Sequence, residues 1–239
     1  MLNERVSTRV SSREIDEGLR NYMLKVYNYM TGGLIVTALT VYLLVATGAI
    51  ASLFSFSPEG VSLSFLGWIV TVSPIIVVLY FGHAVRSASL SKVKTVFWLF
   101  SALMGASIAP IVLAYTGTSV TRVFLISAAT FGSMSIYGYT TKRNLTGVGS
   151  FLLMGLIGII IASIVNIFWA SSALYFTTSI IGVAIFVGLT AYDTQKIRRM
   201  YAEGDEDYVE RSAVSGALDL YMDFINLFIY LLRLIGDRR

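Results

Sequence analysis

The chain has 239 residues, of which 56% are hydrophobic and 13% charged, with a net charge of +4 and no cysteine. Ordinary globular domains carry roughly 45–50% apolar and about 25% charged residues, so a water-soluble surface cannot be assembled from this composition. The missing cysteine excludes disulfides, thiolate metal sites and a cysteine nucleophile. The basic residues lie in short clusters between apolar runs, a pattern of membrane topology rather than of nucleic-acid binding.

Residues 1–23 are polar, with Arg5, Arg9, Arg13 and Arg20 among serines and four acids, and read as a cytoplasmic tail that is partly helical; residues 24–239 read as one transmembrane helical domain. Apolar runs follow at 26–51, 63–85, 93–115, 123–139, 150–169 and 174–192. Each can cross ~30 Å of hydrocarbon as a helix whose backbone groups bond internally. The first is too long for the apolar core of a cleavable signal and is followed by others of its kind. Ala102, Gly105, Ala106 and Ala109 on the third run, with Gly155 and Gly158 on the fifth, are expected to let helices approach closely. A seventh run, 213–235, carries Asp219, Asp223, Asn226 and Arg233, so it cannot face lipid all round.

Lys and Arg set the orientation. Lys25, Arg86, Lys92, Lys94, Lys142, Arg143, Lys196, Arg198, Arg199 and Arg211 fall with the N-terminal tail on one side, while the alternate connections hold only Arg122. The N-terminus is therefore expected in the cytoplasm. Either the seventh run crosses, leaving Arg233, Arg238 and Arg239 outside, or it enters the membrane and returns.

Among the acidic residues, only Asp193, Asp219 and Asp223 belong to the apolar runs or their ends. A carboxylate in a membrane helix is costly unless protonated, paired or wetted, which makes these three functional candidates. Asp219, Asp223, Asn226, Tyr230 and Arg233 are spaced 4, 3, 4 and 3 apart. At ~100° per residue they form a single stripe, with Leu220, Phe224, Leu227, Phe228 and Leu231 covering the rest of the helix. The short connection after the sixth run returns the chain beside itself and sets Asp193 against Asp219 or Asp223. Two carboxylates a few Å apart in low dielectric do not readily both ionise, so one keeps a proton and the pair shares a short hydrogen bond. Loss of that proton leaves two repelling charges, which part the helices or recruit a cation. Among physiological cations, gathered carboxylate oxygens favour Ca²⁺. Arg86, at the end of the second run, is a candidate partner for one member of the pair.

Other chemistry finds little support. Glu203, Asp205, Glu206, Asp207 and Glu210 read as a solvated loop without the spacing of a calcium-binding loop. The lone His83 sits at a helix end, the seventh run has no lysine for a retinal Schiff base, and no phosphate-cradling loop or zinc cluster occurs. Neither an enzyme nor a resident cofactor is expected.

The strings GLTAYDTQKIRRMY at 188–201, GALDLYMDFINLFIYLLRLIG at 216–236 and SMSIYGYTTKRNL at 133–145 resemble segments of the Bax inhibitor-1 family, the last its bacterial branch. Similar texture extends from Tyr22 onward. The resemblance implies an all-α fold of seven transmembrane helices, with a central polar-striped C-terminal helix wrapped by six others. It also implies a pH-sensitive Ca²⁺ leak in which Asp193 and Asp223 form the sensor and transient calcium contact, with Arg86 as gating partner. Asp219 matches an acidic position of some members, and Asn226 extends the polar stripe. Family members are linked with suppression of cell death in eukaryotes and with membrane protein quality control in bacteria. A non-conducting regulator that binds a membrane protease is therefore the alternative. Either reading puts the protein in a lipid bilayer, with a bacterial inner membrane expected and no nucleic-acid partner.

Overall fold

The computed structural model describes residues 2–57, 60–201 and 206–239. In chain order these form α1 (Leu2–Ala46), α2 (Ile50–Leu53), β1 (Phe54–Ser57), β2 (Gly60–Leu63), α3 (Phe65–Ser87), α4 (Leu90–Leu113), α5 (Gly117–Thr140), α6 (Thr146–Trp169), α7 (Ser172–Met200) and α8 (Glu206–Ile235). Six segments are long and apolar enough to cross a membrane: Glu17–Ala46 of α1, and helices α3, α4, α5, α6 and α7. The protein is thus a multi-pass helical membrane protein. The acidic residues Glu203 and Asp205, and Glu59, lie outside the described residues.

Helix ends differ from the apolar runs for local reasons. α1 continues unbroken through the polar N-terminal segment, and α7 runs past its apolar stretch to Met200. Neither contains proline, and Arg, Lys, Gln and Met are good helix formers, so polarity alone does not stop the helix. At its other end α1 stops at Ala46, short of the expected residue 51, where Gly48 turns the chain at φ 72°. The connection to α3 is a two-stranded antiparallel hairpin pairing Phe54 with Leu63 and Phe56 with Val61, an element that the hydropathy runs do not reveal. Ser64 then caps α3 by accepting from the Gly67 amide.

α8 is largely buried against the other helices. It packs on α7, α1, α5, α4 and α3, while α6 packs on α7. Leu220, Tyr221, Leu227 and Leu232 of α8 are wholly buried, whereas Ile167 and Phe168 of α6 are largely exposed. Placement within protein resolves the conflict in α8 between length and polarity, because its stripe of acids meets neighbouring side chains instead of hydrocarbon. The Tyr221 hydroxyl bonds to Thr37 of α1 at 2.6 Å, and Thr37 donates to the Ser101 carbonyl of α4, tying three helices together.

Small residues make two of the closest approaches. A Cβ on Gly105 would lie 2.6 Å from the Thr37 carbonyl oxygen of α1, and one on Gly138 would lie 2.2 Å from the Ala191 carbonyl oxygen of α7. Glycine is required at both contacts. Of the two glycines expected to pack on α6, Gly155 meets Ile185 and Gly158 faces open space.

The two ends of the bundle are stitched differently. At the α7–α8 end, Lys25 and Lys94 pair with Glu210, Arg211 donates to the Ala88 carbonyl, and Arg198 donates to the Tyr139 carbonyl. At the other end the last residues are fastened to the α4–α5 connection. The Arg239 amide donates to Ala114, the Thr116 amide donates to Asp237, and Arg122 pairs with Asp237 at 3.0 Å.

Candidate functional site

The polar stripe of α8 faces α7 in antiparallel register. Asp219 meets Lys196, Asp223 meets Asp193, Tyr230 stacks on Phe186 with ring centroids 5.7 Å apart, and Arg233 lies over the Tyr175 ring at 5.5 Å. Asn226 turns its amide back to the Met222 carbonyl of its own helix at 2.8 Å. Four of the five stripe residues therefore meet one neighbouring helix, and Asn226 bonds within its own.

At the heart of this interface the Asp193 and Asp223 carboxyls are close electrostatic neighbours across α7 and α8. Asp223 is 4% exposed, and its Oδ2 has no hydrogen-bond partner in the described structure. Two carboxylate oxygens both accept, so their contact becomes a hydrogen bond only when one carries a proton. An ionised, unpartnered carboxylate at this depth would incur a large desolvation penalty. The geometry suits one shared proton.

Lys196 supplies the neighbouring positive charge. Its Nζ lies 2.9 Å from Asp219 and 3.6 Å from Asp193, and the side chain is 42% exposed. The sequence suggests Arg86 as the counter-charge. That side chain is exposed near the end of α3 and makes no ion pair or hydrogen bond with any described residue. In sequence Lys196 carries the same signal as a topological charge. Its position three residues after Asp193, one helical turn along the same face, was the available signal.

A hydroxyl chain supports the same segment of α7. Tyr27 of α1 bonds to Ser135 of α5 at 2.5 Å, and Ser135 bonds to Thr194, the neighbour of Asp193, at 3.0 Å. Gln195 is buried and pins the α5–α6 connection, accepting from the Leu145 amide and donating to the Arg143 carbonyl. α7 is thereby held at the two residues that follow the acid.

Glu210 departs from the solvated loop expected for its stretch. It accepts from Lys25 at 2.7 Å and Tyr29 at 2.6 Å, and pairs with Lys94 at 3.0 Å. Burial acts to push this carboxyl up, but the bonds from Lys25, Tyr29 and Lys94 outweigh it and hold it down to about 2. Asp207 pairs with Arg211 one turn along α8.

Resident Ca²⁺ usually takes six to eight oxygen ligands. Among the described residues no group of three or more acidic, His or Cys side chains is arranged to hold a metal ion.

These features define a class: a multi-pass helical membrane protein whose last helix turns a stripe of acids and polar groups toward an opposed acid on the helix before it. The chain belongs to the family described as inhibitor of apoptosis-promoting Bax1, whose match covers residues 19–239. It is similar to the inner membrane protein YbhL of Escherichia coli (strain K12), 40% identical over 225 residues that cover 93% of this chain and 94% of YbhL. It is also similar to a protein of Rickettsia prowazekii (strain Madrid E), 43% identical over 235 residues covering 98% and 97% of the two chains. A protein of Caulobacter vibrioides is 42% identical over 229 residues, covering 94% and 92%.

Proposed function

We propose that this protein is a proton-gated Ca²⁺ leak of a bacterial cytoplasmic membrane, with Asp193 and Asp223 as its gate. The observation that carries the reading is the approach of these two carboxyls across the α7–α8 interface, with one buried Asp223 oxygen lacking a partner. With one proton shared, the pair latches α8 to α7. When the proton leaves, repulsion in a low-dielectric setting parts the carboxyls and opens the polar stripe to a cation. Lys196 sets the pH at which this happens by offsetting part of the negative charge. The protein itself supplies no covalent chemistry and retains no cofactor.

In this reading α8 is a seventh crossing, central to the bundle. Its start lies beside the end of α7, and the residues just after it are bonded to the α4–α5 connection at the opposite end, which supports a complete passage. The N-terminus is cytoplasmic, as suggested by the gathering of Lys25, Lys94, Arg198 and Arg211 at one end. The printed name of the Escherichia coli relative supports the assignment to an inner membrane.

Ca²⁺ entry into proteoliposomes, followed from mildly acidic to mildly alkaline pH, tests the proposal. Flux that rises as the pair loses its proton supports the leak. Absence of flux at every pH eliminates it and favours a non-conducting regulator that binds a membrane protease.

A further inference from the structure

We infer that the gap between α1 and α5 is a binding site for an anionic phospholipid, with one acyl chain in the gap and the headgroup phosphate at Arg20. Both helices pack on α8, but they do not pack extensively on each other. Between them lies a cavity of about 710 Å³, lined on its apolar length by Met23, Leu34, Phe131, Gly132 and Phe224. That volume falls within the roughly 300–1,000 Å³ of ligand-sized pockets. From Arg20 to Leu34 the helix rises ~21 Å, enough for a headgroup contact and one leaflet of a hydrocarbon core ~30 Å thick. The flanking side chains Leu24 and Ile136 are 47% and 67% exposed, so the gap is bordered by lipid-facing surface.

Charge at the mouth selects the headgroup. Arg20 lines the cavity and is exposed, with no ion pair or hydrogen bond to any described residue. Tyr139 lines the same end and carries the Arg198 guanidinium over its ring at 5.3 Å, adding a second positive charge nearby. A phosphate diester between these groups would gain charge-assisted bonds at the membrane surface. The cavity floor includes Phe224, the residue after Asp223, and its wall includes Tyr27 and Ser135, which lead by hydrogen bonds to Thr194 beside Asp193. A lipid seated here touches the supports of both aspartates. Its binding does not require that the protein conduct Ca²⁺.

Gly132 offers a clean probe, because a Cβ built there meets nothing within 4 Å. Gly132→Leu builds a side chain on the gap's lining from a Cβ that strikes nothing. Detergent-purified wild type, Gly132→Leu and Arg20→Gln are each equilibrated with phosphatidylglycerol or phosphatidylcholine, and retained lipid is counted by native mass spectrometry. The proposal expects wild type to retain phosphatidylglycerol over phosphatidylcholine and Gly132→Leu to retain less of both. Arg20→Gln should lose the preference by roughly fivefold while still accepting an acyl chain. Equal retention of the two lipids by wild type, or retention unchanged in both variants, overturns it. If Gly132→Leu fails to fold, the headgroup preference of Arg20→Gln decides alone. Because the readout is lipid count, it stands or falls separately from the Ca²⁺ measurement.

Discussion

Lys196 of α7 donates to Asp219 of α8 at 2.9 Å, and the same ammonium lies 3.6 Å from Asp193. One cation thus serves two acids next to the buried Asp223. Replacing it with glutamine leaves three carboxyl groups without their nearest positive charge, so the cluster holds its proton to higher pH. Lys196→Gln is expected to move the midpoint of pH-dependent Ca²⁺ flux upward. Arg86→Gln alters an exposed side chain with no ion pair among the described residues and should change the midpoint less.

Asp193→Asn removes one ionisable partner while preserving size and hydrogen-bonding capacity. The variant is expected to fold and insert, and its flux should vary less with pH than that of the wild type. The check is a pH profile on protein whose melting temperature in detergent is unchanged.

Glu210 provides a pH effect of a different kind. Its folded carboxyl is held down to about 2, below the ordinary value of 4.5, so its stabilising contribution is fully present above 4.5 and is lost as pH falls toward 2. Glu210→Gln should lower stability near neutral pH by roughly 1–2 kcal/mol, from lost charge-assisted bonds that are partly solvent-screened. The gap between wild type and variant should close on acidification through that window, as thermal melts in detergent at several pH values would register. Since Glu210 stays ionised near neutrality, its replacement should leave the pH midpoint of flux in place.

Gly138→Val tests the α5–α7 contact. Even the first carbon of the new side chain would collide with the Ala191 backbone, two residues before Asp193. Forcing these helices apart is expected to cost about 1–3 kcal/mol, and more if the backbone cannot yield. The melting temperature should fall, whereas Gly158→Ala on the open face of α6 should leave it nearly unchanged.

Much of this architecture is legible in the sequence because lipid imposes a simple rule: apolar runs long enough to cross must be helical. The stripe at Asp219, Asp223, Asn226, Tyr230 and Arg233 is legible too, since helical spacing puts the residues on one face before any partner is known. What remains hidden depends on direction in space. Lys196 has the same composition signal as a topological anchor, and only the return of α8 beside α7 turns it into a partner for Asp219. Glu210 sits in an acidic stretch that reads as solvated, yet Lys25 and Lys94 reach it from helices distant in sequence. The hairpin at Phe54–Leu63 is too short and too mixed in character to register as a membrane signal. Arg86 shows the limit from the other side, because a charge at a helix end does not reveal which neighbour it meets.

The most direct test is the separation of the Asp193 and Asp223 carboxyl groups in structures determined in a bilayer at mildly acidic and mildly alkaline pH. Hydrogen-bonding contact is expected when the pair holds its proton, and a measurable parting, with α8 displaced from α7, when it does not. An identical separation in both structures, obtained under conditions where Ca²⁺ flux differs, would contradict it.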